Sequence, residues 1–213
     1  MSEKTDESPI VSLKPEQLNA AGDMLGRAFC SDAMSEYLFP NPATRQRRIG
    51  WMMQRLARFA ARYAITETTP ELDCLACWFR SDQTQITGMR MLRCGMWASP
   101  LRLGLGPLKR FFSMMQTANT LQANLSNEVH WYLQLLAVDP ARQGAGLGTR
   151  LLLRGLEWAD RDGLPCRLET TTPQNVAFYR KHGFEITAEA EIGNSSTKII
   201  TMERPTGGTI GRD

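Results

Sequence analysis

The string Arg142-Gln143-Gly144-Ala145-Gly146-Leu147-Gly148 sets a glycine at every second position just ahead of a helical pattern. Residues without a Cβ let backbone N–H groups close on an anion, and the N-terminus of the following helix adds partial positive charge. The string reads as a cradle for a pyrophosphate. Other phosphate loops fit it poorly. A P-loop ends in Gly-Lys-Ser/Thr, whereas Gly148 is followed by Thr149-Arg150, with no lysine to reach a terminal phosphate. A Rossmann fingerprint needs its third glycine at position 149, which is Thr. Glu169 stands near the offset of that fingerprint's acidic residue, but it ends the next strand of a half-sheet too short for two mononucleotide halves. The remaining alternative is a strand-to-helix turn that holds no ligand.

The cradle needs a strand before it and a helix after it. Residues 131–138 are a near-continuous apolar run, suited to a central strand, that stops at Asp139-Pro140. The helix that follows spans about 146–161, with Leu147, Leu151, Leu152, Gly155 and Trp158 toward the core. A strand at 166–171, a short helix at 173–182 and strands near 184–192 and 198–204 complete a β-α-β-α-β-β order. Upstream, a short strand near 10–13 precedes a helix opened by Pro15, with Leu18, Ala21, Leu25, Ala28 and Phe29 on one face. A second helix follows Pro40-Asn41-Pro42, where Ile49, Met52, Met53, Leu56, Phe59, Ala60 and Tyr63 step by three and four. Residues 64–68 and 72–79 flank Thr69-Pro70-Glu71 as a hairpin. Residues 80–128 read as a helical insertion, with helices near 86–97 and 107–125 separated by the Gly/Pro-rich 100–107. Residues 1–9 and 205–213 read as flexible tails, leaving one domain over 10–204.

The string Leu136, Val138, Asp139, Pro140, Gln143, Gly144, Gly146, Gly148 resembles the acetyl-CoA motif of the GNAT N-acetyltransferases, whose core is Gln/Arg-x-x-Gly-x-Gly/Ala. Downstream, Asn175-Val176-Ala177-Phe178-Tyr179-Arg180-Lys181-His182-Gly183-Phe184 is similar to that family's second signature. Leu168-Glu169-Thr170 and the ending Thr201-Met202-Glu203-Arg204-Pro205 look closest to its puromycin N-acetyltransferase branch. The resemblance implies an α/β (α+β) GNAT-like fold: a mixed central sheet of about seven strands with a splayed central strand and flanking helices. It also implies acetyl-CoA as cosubstrate, with no metal.

By the same resemblance, backbone groups of Leu136, Ala137 and Val138 pair with the pantetheine arm, and the N–H groups of Gln143, Gly144, Ala145, Gly146, Leu147 and Gly148 hold the pyrophosphate. Asn175 helps anchor the pantetheine side. Tyr179 matches the residue whose hydroxyl protonates the coenzyme A thiolate, a role suited to a phenol. The general base stays open. Many histone-acetylating members carry a Glu on the central strand where this chain has Tyr132. Glu169 is the first substitute, with His130, Glu128 or a water chain behind it. The expected function is transfer of an acetyl group to a primary amine of a small molecule by direct attack in a ternary complex. An acetyl-CoA-binding sensor with little turnover is the alternative.

Composition bounds these readings. With 213 residues, 42% hydrophobic and 22% charged, the chain is of ordinary globular make-up. A net charge of +3 gives no support for a nucleic-acid partner. The charge is uneven, however: twelve Lys/Arg and four Asp/Glu fall within 41–115. That block suits an anionic ligand or simply a pair of helices with solvated basic faces. The five cysteines and the polar, acidic opening predict a cytoplasmic protein, with Cys74-x-x-Cys77 as core thiols of a strand. No membrane partner is expected, because no run reaches the roughly 18 apolar residues of a span. A monomer or homodimer is expected.

Overall fold

The computed structural model describes residues 8–83, 87–123, 125, 128–193 and 195–207. Seven strands form one mixed sheet: β1 (Val11–Ser12), β2 (Ile65–Thr68), β3 (Cys74–Arg80), β4 (Trp131–Val138), β5 (Cys166–Thr170), β6 (Glu185–Glu191) and β7 (Lys198–Arg204). Their order is β1-β2-β3-β4-β5-β7-β6, and only β4 and β5 run parallel. The helices are α1 (Leu18–Ala28), α2 (Ala33–Leu38), α3 (Pro42–Tyr63), α4 (Gly88–Arg93), α5 (Ser99–Leu103), α6 (Leu105–Ala123), α7 (Leu147–Asp162) and α8 (Pro173–Arg180). Among the described residues no helix is long and apolar enough to cross a membrane. Most of the two expected tails lies outside the described residues.

The core is divided by the sheet. Leu75, Cys77 and Phe79 of β3 point to the side covered by α1 and α3, while Cys74, Ala76 and Trp78 point to the side covered by α7 and α8. The α7 helix contributes Leu147, Leu151, Leu152 and Leu156, each nearly inaccessible and each stabilising by about 1.5–3 kcal/mol on burial. It lies so close to β3 that a Cβ on Gly155 would fall 2.0 Å from the Trp78 ring. Across the sheet, a Cβ on Gly50 of α3 would come within 2.9 Å of the Gly22 carbonyl of α1.

The sequence reading and the structure part company at two places. A short helix, α2, stands between α1 and α3; Asp32 caps it by accepting from the Met34 N–H at 2.9 Å. Residues 100–107 are helical rather than a break. Pro100 and Pro107 sit within the first turns of α5 and α6, where a missing N–H costs nothing, and Gly104 at φ +84° makes the single sharp corner between them.

Candidate active site

The site is built around a strand that changes sides. Opposite β3, Cys77 pairs with Leu135 and Trp78 with Leu133, so Gln134 is an extra residue that bulges from β4. Before the bulge, Trp131 and Leu133 enter the α7/α8 core and Tyr132 packs on the α1/α3 side. After it, Leu135 and Ala137 enter the α1/α3 core and Leu136 and Val138 pack on the α7/α8 side. The pairing of β4 with β5 is equally short-lived. It runs through Trp131↔Cys166, Tyr132↔Arg167 and Leu133↔Leu168 and then ends, although both strands continue. From Gln134 to Val138, β4 therefore presents one backbone edge to a widening cleft.

At the open end of that cleft the chain turns into the cradle. Asp139 fixes the turn: its carboxylate accepts from the Ala141 N–H at 3.0 Å and from Arg27 at 2.5 and 3.1 Å, and its own N–H donates to the Asp73 carbonyl at 2.7 Å. Partial burial raises the Asp139 carboxyl, but the Arg27 and Ala141 donors outweigh it and hold it below its ordinary value. Gly144 and Gly146 adopt left-handed conformations at φ +80° and +75°. A Cβ on Gly144 would meet nothing within 4 Å, so the backbone conformation, not packing, selects glycine there. Gly146 caps α7 without any side-chain hydrogen bond, and the first turn has no acidic residue. Gly148 lies against Val138, whose Cγ2 would be 3.3 Å from an added Cβ, which sets the cradle directly at the end of β4. An uncapped helix start with left-handed glycines beside a free strand edge fits a pyrophosphate followed by an extended amide-bearing arm.

Two titratable clusters flank the cleft. In the first, Glu169, next after the last β4–β5 pair, accepts from Gln122 Nε2 of α6 at 2.5 Å and from the Tyr132 hydroxyl. Burial pushes the Glu169 carboxyl up, and the two donors only partly offset this. Burial and the adjoining carboxylate push the Tyr132 phenol well above its usual value. In the second, Tyr179 of α8 is 8% exposed. Burial, and then the charge of Asp32, raise its phenol. Asp32 accepts from Thr171 Oγ1 at 3.1 Å, a contact joining the α1–α2 connection to the residue that follows β5. Burial also raises the Asp32 carboxyl.

The sequence-derived residues thus divide. Leu136, Ala137, Val138 and Gln143 to Gly148 form one continuous wall and cradle, whereas Glu169 meets Tyr132 on the α1/α3 side of the sheet and Tyr179 is buried in the α7/α8 core. Asn175 is exposed one helical turn before Tyr179, on the same face of α8. His130 and Glu128 lie behind the paired part of β4, about 13 Å along the strand from Gln134 for His130. The His130 ring contacts the Glu128 carbonyl at 2.8 Å and Arg167 at 3.4 Å, and burial lowers its pKa. Cys74 and Cys77 are buried in β3, and burial pushes their thiols up to about 11 and about 12. A surface hollow of about 490 Å³, lined by Arg180 and residues 183–186, lies at the end of α8 and not at this cleft. Sequence reasoning missed Asp32 and Gln122; a cap residue after Ser31 was the only signal for the first.

Residues 112–186 match the family model described as acetyltransferase (GNAT) domain. The structure is similar to that of histone acetyltransferase HPA2 and related acetyltransferase from Corynebacterium glutamicum, with a TM-score of 0.65, 18% identity and coverage of 94% of this chain and 97% of that one. The chain has a GNAT fold. Arylalkylamine N-acetyltransferase 2 from Aedes aegypti shares the GNAT fold at a TM-score of 0.59 and 12% identity, over 94% of this chain and 99% of that one. An uncharacterized N-acetyltransferase of Schizosaccharomyces pombe is 27% identical over 114 residues, 52% of this chain and 46% of that protein. The chain spans less than half the length of the curated relatives it matches. The seven-stranded mixed sheet with flanking helices is the architecture the GNAT resemblance implied.

Proposed function

We propose that this protein is an acetyl-CoA-dependent N-acetyltransferase that acetylates a primary amine of a small molecule by direct attack within a ternary complex. The observation that carries the reading is the uncapped cradle of Gly144 to Gly148 at the end of a strand whose edge is freed from β5. Acetyl-CoA supplies a thioester carbonyl to this edge. N–H groups of Gln143 to Gly148 hold the pyrophosphate, backbone groups of Leu136 to Val138 pair with the pantetheine arm, and Asn175 steadies its side. Electrostatic help of this kind, aimed at the carbonyl, is worth about 2.7–4 kcal/mol per well-placed donor.

In the reaction a C–N bond forms as the C–S bond breaks, and a proton passes from the amine to a base while the sulfur gains one. Glu169 is the base in this proposal: its raised pKa makes it a better proton acceptor than an ordinary carboxylate, and Gln122 and Tyr132 fix its orientation. The carboxylate reaches the cleft from β5, alongside the Tyr132 that occupies the central-strand position. Tyr179 donates to the departing sulfur. Its raised pKa keeps the hydroxyl protonated, yet a phenol above 10 is a weaker acid than a thiol near 8.5. Hydrogen-bond stabilisation of the thiolate therefore comes first, with full proton transfer following outside the transition state.

The Corynebacterium neighbour bears the name of a histone acetyltransferase and the Aedes neighbour that of an arylalkylamine acetyltransferase, so relatives' names span protein and small amines. The α6 helix, which brings Gln122 onto Glu169, covers that carboxylate and supports a small acceptor. It packs on α2, β6 and β7, and Leu121 meets Ile192 and Ile199, with Tyr37 and Met114 packed against the three. The nearer likeness to the puromycin N-acetyltransferases belongs to this proposal and agrees with a small acceptor. Calorimetry with acetyl-CoA followed by thiol release across an amine panel tests the whole reading. Binding with turnover of at least one small amine supports it; tight binding without turnover on small amines or peptides gives the sensor instead.

A further inference from the structure

Most of the large apolar side chains that the described structure exposes fall in one segment, 89–115. Trp97 is 68% exposed, Leu101 86%, Leu105 69% and Phe112 67%. They sit on α5, on α6 and on the 3-10 turn Met96–Ala98, which pack consecutively against one another after α4. The expectation that no membrane is involved rests on spanning length alone, and these residues pose a different question. A folded chain gains nothing by presenting a tryptophan and two leucines to water, and exposed clusters of this kind mark binding surfaces.

The charge around them has one sign. Between Asp82 and Glu128 the sequence has no acidic residue, while Arg90, Arg93, Arg102, Lys109 and Arg110 are all basic. The adjacent face of α3 adds Arg55, Arg58 and Arg62. Arg55 lies over the Trp51 ring at 5.1 Å, and its guanidinium abuts Gly95, where an added Cβ would be 3.2 Å from Nη1. Gly95 is two residues from Trp97, so cationic and apolar groups share this face. Among the described residues no carboxylate forms an ion pair with Arg55, Arg58, Arg62 or Arg102. Burial, then repulsion from Arg58 and Arg102, lowers the Arg55 pKa, a crowding of like charges that an anionic surface would relieve.

We propose that α4, α5 and the start of α6, with the arginine face of α3, dock on an anionic lipid surface. Trp97, Leu101, Leu105 and Phe112 enter the headgroup boundary and the arginines meet lipid phosphates. Aromatic and aliphatic tips ringed by Lys and Arg are the composition of an interfacial helix, and each basic group near an anionic leaflet adds to the attraction. Two other occupants fit less well. A second copy docked through the same patch would set these arginines against their own counterparts. Single-stranded nucleic acid is gripped by stacking on aromatic rings, whereas Leu101 and Leu105 are aliphatic.

Co-sedimentation of the full chain with phosphatidylcholine vesicles, and with phosphatidylcholine–phosphatidylserine vesicles, tests the proposal. We expect partitioning about tenfold or more stronger on the phosphatidylserine vesicles, weakening with added salt. Leu101→Asp and the pair Arg58→Glu/Arg102→Glu should each reduce it about tenfold; an unchanged thermal midpoint establishes that the variants fold. Failure to sediment with either vesicle, or equal partitioning on both, overturns the proposal. Oligonucleotide binding as tight as vesicle binding and unmoved by Leu101→Asp assigns the face to nucleic acid. A dimer in light scattering that reverts on Leu101→Asp assigns it to self-association, and capture of an acidic amphipathic peptide without vesicle binding assigns it to a protein partner; each of these also overturns the proposal.

Discussion

In the proposed reaction Glu169 and Tyr179 have opposite duties, and their environments separate the two. Both groups are raised by burial, which makes the carboxyl a stronger base and the phenol a steadier donor. A base must be ionised, so kcat/KM should rise as pH climbs through the raised Glu169 value. In Glu169→Gln that limb should vanish and the rate should fall about a hundredfold or more; a pH–rate profile reads both. An unchanged limb would move the base from Glu169 to a water chain. Tyr179→Phe should leave acetyl-CoA affinity in calorimetry near that of the parent and lower kcat about tenfold or more, because the lost hydroxyl acts on sulfur only as the bond breaks. Asp32 enters neither role, but its charge beside Tyr179 helps keep that hydroxyl protonated.

At the scale of elements, the cradle and its helix were legible from sequence because glycine spacing and apolar period are local signals. The Gly144–Gly148 turn, α3 and α7 follow from them almost to the residue. The α2 helix was not legible, since its six residues hold too little periodicity to stand out. The bulge at Gln134 was invisible for a different reason: it exists only as a mismatch of counts between β4 and β3, two strands 51 residues apart at their nearest. The Gln122–Glu169 contact, across 47 residues, is likewise a tertiary fact. Two element-level outcomes follow. Gly146→Trp should abolish acetyl-CoA binding in calorimetry, as it forces a bulky side chain into a left-handed position at the cradle. Gly155→Ala should lower stability by about 1–3 kcal/mol in a denaturant titration, because the new methyl would overlap the buried Trp78 ring and α7 must shift outward.

For the whole molecule, the buried carboxyls shape the response to pH. Asp32 and Glu169 have folded values raised above their ordinary ones. Such groups favour the fold below their unfolded pKa, and that contribution is lost as pH rises through the folded value. Asp139 works in the opposite sense, since its lowered value gives stability above the carboxylate range that disappears on acidification. In thermal melts of the protein without acetyl-CoA, Glu169→Gln should therefore flatten the decline between mildly acidic and neutral pH. It should leave the steep loss at low pH in place. A melt series in which the variant and the parent decline in parallel would count against a buried, raised Glu169.

Gln134 gives β4 one residue more than its partner needs, and so switches, halfway along a single strand, the face of the sheet to which every second side chain turns. The eight residues 131–138 are in effect one text read in two phases. Point substitutions there alter one letter, whereas deletion of Gln134 would erase the switch: Leu135 would follow Leu133 in plain alternation, and Leu135, Leu136, Ala137 and Val138 would keep the faces they now have. Both cores would keep their hydrophobic residues; what would go is the kink that the extra residue gives the strand beside the cleft.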